Sequence, residues 1–257
     1  MKIVLIGAGN VATHLGRGLK ENGHTIVQVY SKTKESALKL ATSLQCSYTT
    51  NMENVSNEGE LYISALKDSA FTELIPYIIK GREDALFVHT AGSLSMDLWK
   101  GHALRYGVLY PMQTFSKSKS VDFGNVPFFI EANSDVDEQL LYDLASSLSG
   151  KVYRVSSEQR KSLHIAAVFA CNFSNHMYAI SSYLLSKSDI PFEVMLPLID
   201  ETSRKVHELS PVQAQTGPAI RYDENVINRH LSMLEADPDI RDLYEKISKS
   251  IYKFGKK

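Results

Sequence analysis

Three features of this 257-residue sequence predict an α/β fold, a doubly wound sheet followed by an all-α C-terminal domain. Short apolar runs alternate with helix-periodic segments up to Val155, the pattern of parallel strands joined by covering helices. A glycine-rich turn stands directly between the first such run and the first helix. From Ser157 onward strand signals cease and long helical periodicities take over.

The elements follow in order. Lys2 to Ile6 is a strand that ends at Gly7, and Asn10 to Asn22 is a helix stopped by Asn22-Gly23. Thr25 to Tyr30, rich in β-branched residues, is a strand, and Thr33 to Leu44 a helix. Leu61 to Leu66 and Ala85 to Val88 are strands on either side of a helix from about Asp68 to Lys80. Gly107 to Tyr110 and Pro127 to Glu131 are strands, Asp135 to Leu148 a helix and Lys151 to Val155 the last strand. These make a first domain, 1–155. The second, 156–257, is read as helices at Glu158–Ser186, Phe192–Leu209, Asp223–Glu235 and Pro238–Phe254, with Pro197 a kink or boundary. No Gly/Ser or Pro linker marks the join.

Composition narrows the function. With 44% hydrophobic and 22% charged residues the chain is neither disordered nor fibrous. A net charge of −1 gives no global field for nucleic acid or an anionic membrane. Cys46 and Cys171 lie far apart, and no Cys/His zinc spacing occurs, so no metal is expected. The longest apolar runs, such as Ile165 to Cys171, fall short of the ~20 residues of a membrane span. A cytoplasmic chain without a signal peptide is expected. Lys246, Lys249, Lys253, Lys256 and Lys257 beside the Leu243, Ile247, Ile251 stripe read as a solvated helix end.

Gly7-Ala8-Gly9-Asn10-Val11-Ala12 fits GxGxxA. Gly7 permits the tight turn, Gly9 lets backbone approach a pyrophosphate, and Ala12 lets the helix pack on the strand. The helix N-terminus then offers free N–H groups to phosphate. A Rossmann-type dinucleotide site follows. An NAD site wants an acid at the end of the second strand, where this chain has Ser31, Lys32 and Thr33. Hydroxyls and a lysine suit a 2′-phosphate, which favours NADP over NAD.

The segment KSLHIAAVFACNFSNHMY is apolar nearly all round, which implies a buried helix. At 100° per residue Lys161, His164, Asn172 and Asn175 share one narrow face. Buried polar groups need partners, and substrate is one candidate; an interhelical network or a homodimer seam is the other. His164 suits a proton donor, Asn172 substrate orientation, and Lys161 either proton transfer or a carboxylate. Arg221, in the turn Gln215 to Asp223, suits a carboxylate clamp, though Asp223 also suits pairing with it and capping the next helix.

The GAGNVA turn, Ser64-Ala65-Leu66-Lys67-Asp68, the segments HTAGS and LYPMQTF, the helix KSLHIAAVFACN and the turn TGPAIRYD occur in this order. Together the sequence resembles a bacterial family of NADP oxidoreductases with a Rossmann-like module and a helical domain of uncharacterised function. It is also similar to pyrroline-5-carboxylate reductase and ketopantoate reductase. The resemblance implies cofactor contacts at Gly7, Gly9, Asn10, Val11, Ser31, Lys32, Thr33, Ala65 and Leu66. It implies substrate contacts at Thr216, Arg221 and Asp223, and pairing into a homodimer. The expected function is hydride transfer from NADPH to a small carbonyl or imine compound in an interdomain cleft. The alternative is a non-catalytic dinucleotide-sensing homodimer.

Overall fold

The fold is that of a computed structural model, which describes residues 1–256; Lys257, the last of the cationic cluster, lies outside them. The strands β1 (Lys2–Ile6), β2 (Thr25–Tyr30), β3 (Ser47–Thr49), β4 (Leu61–Ser64), β5 (Leu86–His89), β6 (Arg105–Pro111), β7 (Phe128–Ala132) and β8 (Val152–Arg154) form one sheet. Its order is β3-β2-β1-β4-β5-β6-β7-β8. Every neighbouring pair is parallel except β6 and β7. The first six strands have the doubly wound order, whose switch point falls between β1 and β4.

Burial on both faces explains why the strands read as continuous apolar runs. In β1, Ile3 and Leu5 join the core on one face, and Val4 and Ile6 join that on the other. Helices α1 (Asn10–Glu21), α2 (Lys34–Leu44), α3 (Asp68–Ile79) and α4 (Asp135–Leu148) supply the cover. Gly16 and Gly18 let α1 approach Leu5 and Phe123. Arg82 caps α3: its guanidinium donates to the Tyr77, Ile78 and Lys80 carbonyls at the helix end. Trp99 is wholly buried, edge-on to Phe71 at 4.9 Å and tilted against Phe87 at 5.8 Å.

The chain forms two compact units, Met1–Asn172 and Phe173–Lys257. The change from strands to helices falls where the sequence puts it, after β8, but the first unit keeps the next helix, α5 (Ser157–Ala167). A buried network explains this. Arg160 is fully buried and pairs with Glu131 of β7 at 2.5 Å. Glu131 also accepts from the Ser157 N–H and hydroxyl, and Arg160 donates to the Leu94 carbonyl.

Two expectations for the long helix need correction. It is not buried: of residues 158–186 only Arg160 is, and Ile165 and Phe169 are 60% and 65% exposed. Nor is it uniform, because a π-helical stretch, Val168–Phe173, separates α5 from α6 (Ser174–Ser186). A π turn takes up an extra residue, so the 100° wheel loses phase beyond Val168.

The second unit contains α6, α7 (Leu196–Glu208), the short α8 (Pro218–Arg221), α9 (Glu224–Met233) and α10 (Pro238–Phe254). Pro197 stands at the start of α7 rather than inside it. Tyr183 and Lys187 both donate to the Asp237 carboxylate, and His230 Nδ1 meets the Tyr244 hydroxyl at 2.7 Å.

Candidate active site

The Gly7–Ala12 turn lies at the carboxyl end of β1, beside the switch point. Gly7 has φ +118, and a Cβ there would strike the Ala65 carbonyl oxygen. That position therefore admits only glycine. Gly9 caps α1 without a side chain, and a Cβ built on it meets nothing within 4 Å. No acidic residue occupies the first turn of α1. The helix end thus presents N–H groups to open space with no competing carboxylate, as a pyrophosphate requires.

At the end of β2, Ser31 is half-buried and Lys32 and Thr33 are exposed, with Thr33 at the N-cap of α2 making no side-chain cap. The nearest acid is Glu35, in the first turn of α2. Among the described residues Lys32 has no ion pair. This group fits a 2′-phosphate better than a ribose diol, which an acid would take. Ala65 and Leu66 follow β4, and the Ala65 N–H donates to the Ile6 carbonyl, holding that loop against the turn. Asn10 is more committed than the motif suggests: its Nδ2 donates to the Phe115 carbonyl at 2.8 Å. His14 meets the Ser116 carbonyl at 2.8 Å and stacks on Phe115, so the loop after β6 is pinned along α1.

That loop walls a cavity of about 750 Å³ lying wholly within the first unit. Val11, Asp68, the Thr90–Ser93 loop and residues 110–115 form one side; Leu163, His164, Ala166–Val168 and Ala170–Asn172 form the other. Of the residues expected to act together, His164 and Asn172 line it. Lys161 and Asn175 do not, and Lys161 Nζ bonds Glu158 at 2.7 Å. Lys161 leaves the shared face within α5 itself, one turn before His164, while Asn175 lies beyond the π stretch. Thr216, Arg221 and Asp223 belong to the second unit. Asp223 caps α9 by accepting from the Val226 N–H, while Arg221 is exposed and, among the described residues, makes no ion pair with it.

Sequence reasoning missed Tyr110. Its hydroxyl lies 3.2 Å from His164 Nδ1, from a strand 54 positions away. Burial pushes the phenol above its usual range, opposed by the positive charge of Arg160. The HTAGS segment carries a second histidine with a different role. His89 is fully buried at the end of β5, accepts the Ala91 N–H at Nδ1 and points Nε2 at the Ser95 carbonyl. Burial and the Arg160 charge push it down to about 3, so it is a neutral prop for the cavity loop.

A doubly wound sheet with this turn, this open helix end and a lined cavity alongside defines a dinucleotide-dependent enzyme. Comparison with known proteins agrees. Residues 2–91 match the family described as NADP oxidoreductase coenzyme F420-dependent, and residues 126–251 match a domain of unknown function, DUF2520. A protein of Bacteroides fragilis, provisionally designated an NADP oxidoreductase, is 60% identical over 98% of both chains, with a TM-score of 0.95. The chain therefore belongs to the NADP oxidoreductases that join these two domains; NADP is the cofactor of that family. The Myxococcus stipitatus imine reductase, in complex with NADP+, shares the fold at 16% identity, with a TM-score of 0.70 over 98% of this chain and 92% of that one. Pyrroline-5-carboxylate reductase of Streptococcus pyogenes does so at 16% identity, with a TM-score of 0.61 over 98% of each. A search of curated proteins gives no match.

Proposed function

We propose that this chain reduces a small carbonyl or imine compound, keto acids included, with NADPH in the cavity beside His164. The observation that supports this best is an imidazole on the cavity wall backed by a phenol, close to a turn built for a pyrophosphate. When bound, NADPH supplies the hydride. Backbone N–H groups from Gly9 to Val11 hold its pyrophosphate, and Gly7 makes room for that path. Ser31, Lys32 and Thr33 hold the 2′-phosphate, with Ala65 and Leu66 flanking the dinucleotide. His164 delivers the proton to the substrate oxygen or nitrogen, and Asn172 orients that atom. Thr216, Arg221 and Asp223 are assigned to substrate on the family resemblance alone, and Lys161 has no part in the proton transfer.

The second unit leaves Val194, Leu198 and Val212 more than half exposed, a surface suited to pairing two copies into a homodimer. The free thiols of Cys46 and Cys171 suit a reducing compartment such as the cytoplasm. No helix among the described residues is long and apolar enough to cross a membrane.

The test is a titration with NADPH and NADH followed by nicotinamide fluorescence, then turnover on a panel of keto acids and imines. NADPH should bind more tightly than NADH. His164→Ala should lower turnover by about 10²–10⁴, the range for a lost general acid, with NADPH affinity little changed. An unchanged rate removes His164 from the chemistry. Binding without turnover on any substrate favours a sensing protein.

A further inference from the structure

We propose that Tyr110 is the second half of the proton-delivery device: its hydroxyl holds His164 in the Nε2–H form and passes a proton to Nδ1 as Nε2 gives one up. This rests on the reading of His164 as proton donor.

Two contacts fix the ring. Tyr110 Oη is 3.2 Å from Nδ1, with the rings edge-to-face at 6.1 Å. A Cβ built on Gly92 would fall 2.6 Å from Nδ1 and 2.7 Å from Cγ, so the Nδ1 side of the imidazole lies directly over the Gly92 Cα. Nε2, on the opposite side of the ring, makes no hydrogen bond to a described protein group and is left for the cavity that His164 lines.

The direction of the hydrogen bond follows from satisfaction. Tyr110 is 9% exposed, and among the described residues His164 is the only hydrogen-bond partner of its hydroxyl. If Nδ1 carried the proton, the phenol would accept from it and its own O–H would have to turn to the cavity, where no described protein group receives it. With the phenol donating, Nδ1 is an acceptor, and the neutral ring must carry its proton on Nε2. Burial keeps the phenol protonated at neutral pH.

The relay balances. As hydride reaches the substrate carbon, the Nε2–H bond breaks and its proton goes to the substrate oxygen or nitrogen. The phenol O–H bond breaks and its proton goes to Nδ1, so no imidazolate forms and the ring ends as its other neutral tautomer. The charge rests on the Tyr110 oxygen until a proton from solvent in the cavity enters at Nε2 and Nδ1 returns its proton to the phenolate, which restores the starting tautomer. Arg160, fully buried and acting on Tyr110, is the cation that favours that phenolate. The other ionisable groups around the pair are Cys171 and Asp68 on the cavity wall, neutral His89 and Lys161 on the same helix.

The experiment is long-range ¹⁵N NMR of the His164 ring in the full-length protein, with His164→Gln to assign the signal and Tyr110→Phe to break the bond. The wild type should show the Nε2–H tautomer, and Tyr110→Phe a mixture. Tyr110→Phe should also lower kcat about 10–100-fold, part of what a full general acid contributes, with KM little changed and the pH profile of kcat displaced. An Nδ1–H ring in the wild type, a tautomer unmoved by Tyr110→Phe, or an unchanged kcat overturns the proposal. The NMR result needs no turnover, so a protein that reduces nothing would sink the oxidoreductase reading and still leave the Tyr110–His164 bond tested.

Discussion

The first unit buries apolar side chains on both faces of an eight-stranded sheet, whereas among the described residues of the second only Ala219, Ile227 and Leu234 are buried apolar residues. Leu198, by contrast, is 63% exposed. The difference separates two tasks. A cavity whose side chains must hold fixed geometry is built on the rigid sheet. The helical unit has a small core of its own and leaves much of its apolar surface exposed.

Single substitutions can break this contrast. Phe87→Ala, in the core beside Trp99, should cost about 3–5 kcal/mol in urea denaturation. Leu198→Ala should cost less than about 0.5 kcal/mol in the folded chain but weaken self-association in sedimentation equilibrium. Equal stability losses at the two sites would erase the contrast. A step smaller, Glu131→Gln removes the partner of a buried guanidinium and should cost about 3 kcal/mol. Hydrogen exchange should then rise in α5 before it rises in β1 or β4; uniform loosening would mean that the network does not tether α5 by itself.

A further effect of the first unit's core is with pH. His89 is held at about 3 in the folded chain, below its ordinary 6.5, so the unfolded chain binds its proton first. The full stability from keeping it neutral is therefore present above pH 6.5 and is lost as pH falls toward 3. Between pH 6.5 and 4.5 the loss should be about 2 kcal/mol, at ~1.4 kcal/mol per pH unit with some discount for relaxation. His89→Gln should flatten that acid limb in denaturant titrations; an unchanged limb would assign it to other groups.

Most of the fold was legible because local rules and tertiary structure agree. β1, β2, α4 and α10 have the expected limits, and the turn at Gly7 is where the motif puts it. The short β3 and α8 were not, since three or four residues carry too little periodicity. The site was only partly legible. The π stretch has no compositional mark, and Lys161 is drawn to Glu158 within α5 rather than to the cavity that holds Asn172. Tyr110 stands in LYPMQTF, one of the segments that carry the family resemblance, but its bond to His164 crosses from a strand to a helix. The apolar character of 158–186 was real, while the inference of burial within one chain did not follow from it.

The chain has a single tryptophan, and it sits in the core of the first unit. Fluorescence excited at the red edge, where tyrosine is silent, therefore watches one half of the molecule through a native reporter. Far-ultraviolet dichroism, by contrast, sums over every helix. If the two signals melt together, the halves unfold as one cooperative block. If dichroism falls first, the helical half is a separate unit of folding, and the gap between the curves measures how much the sheet domain can do without it.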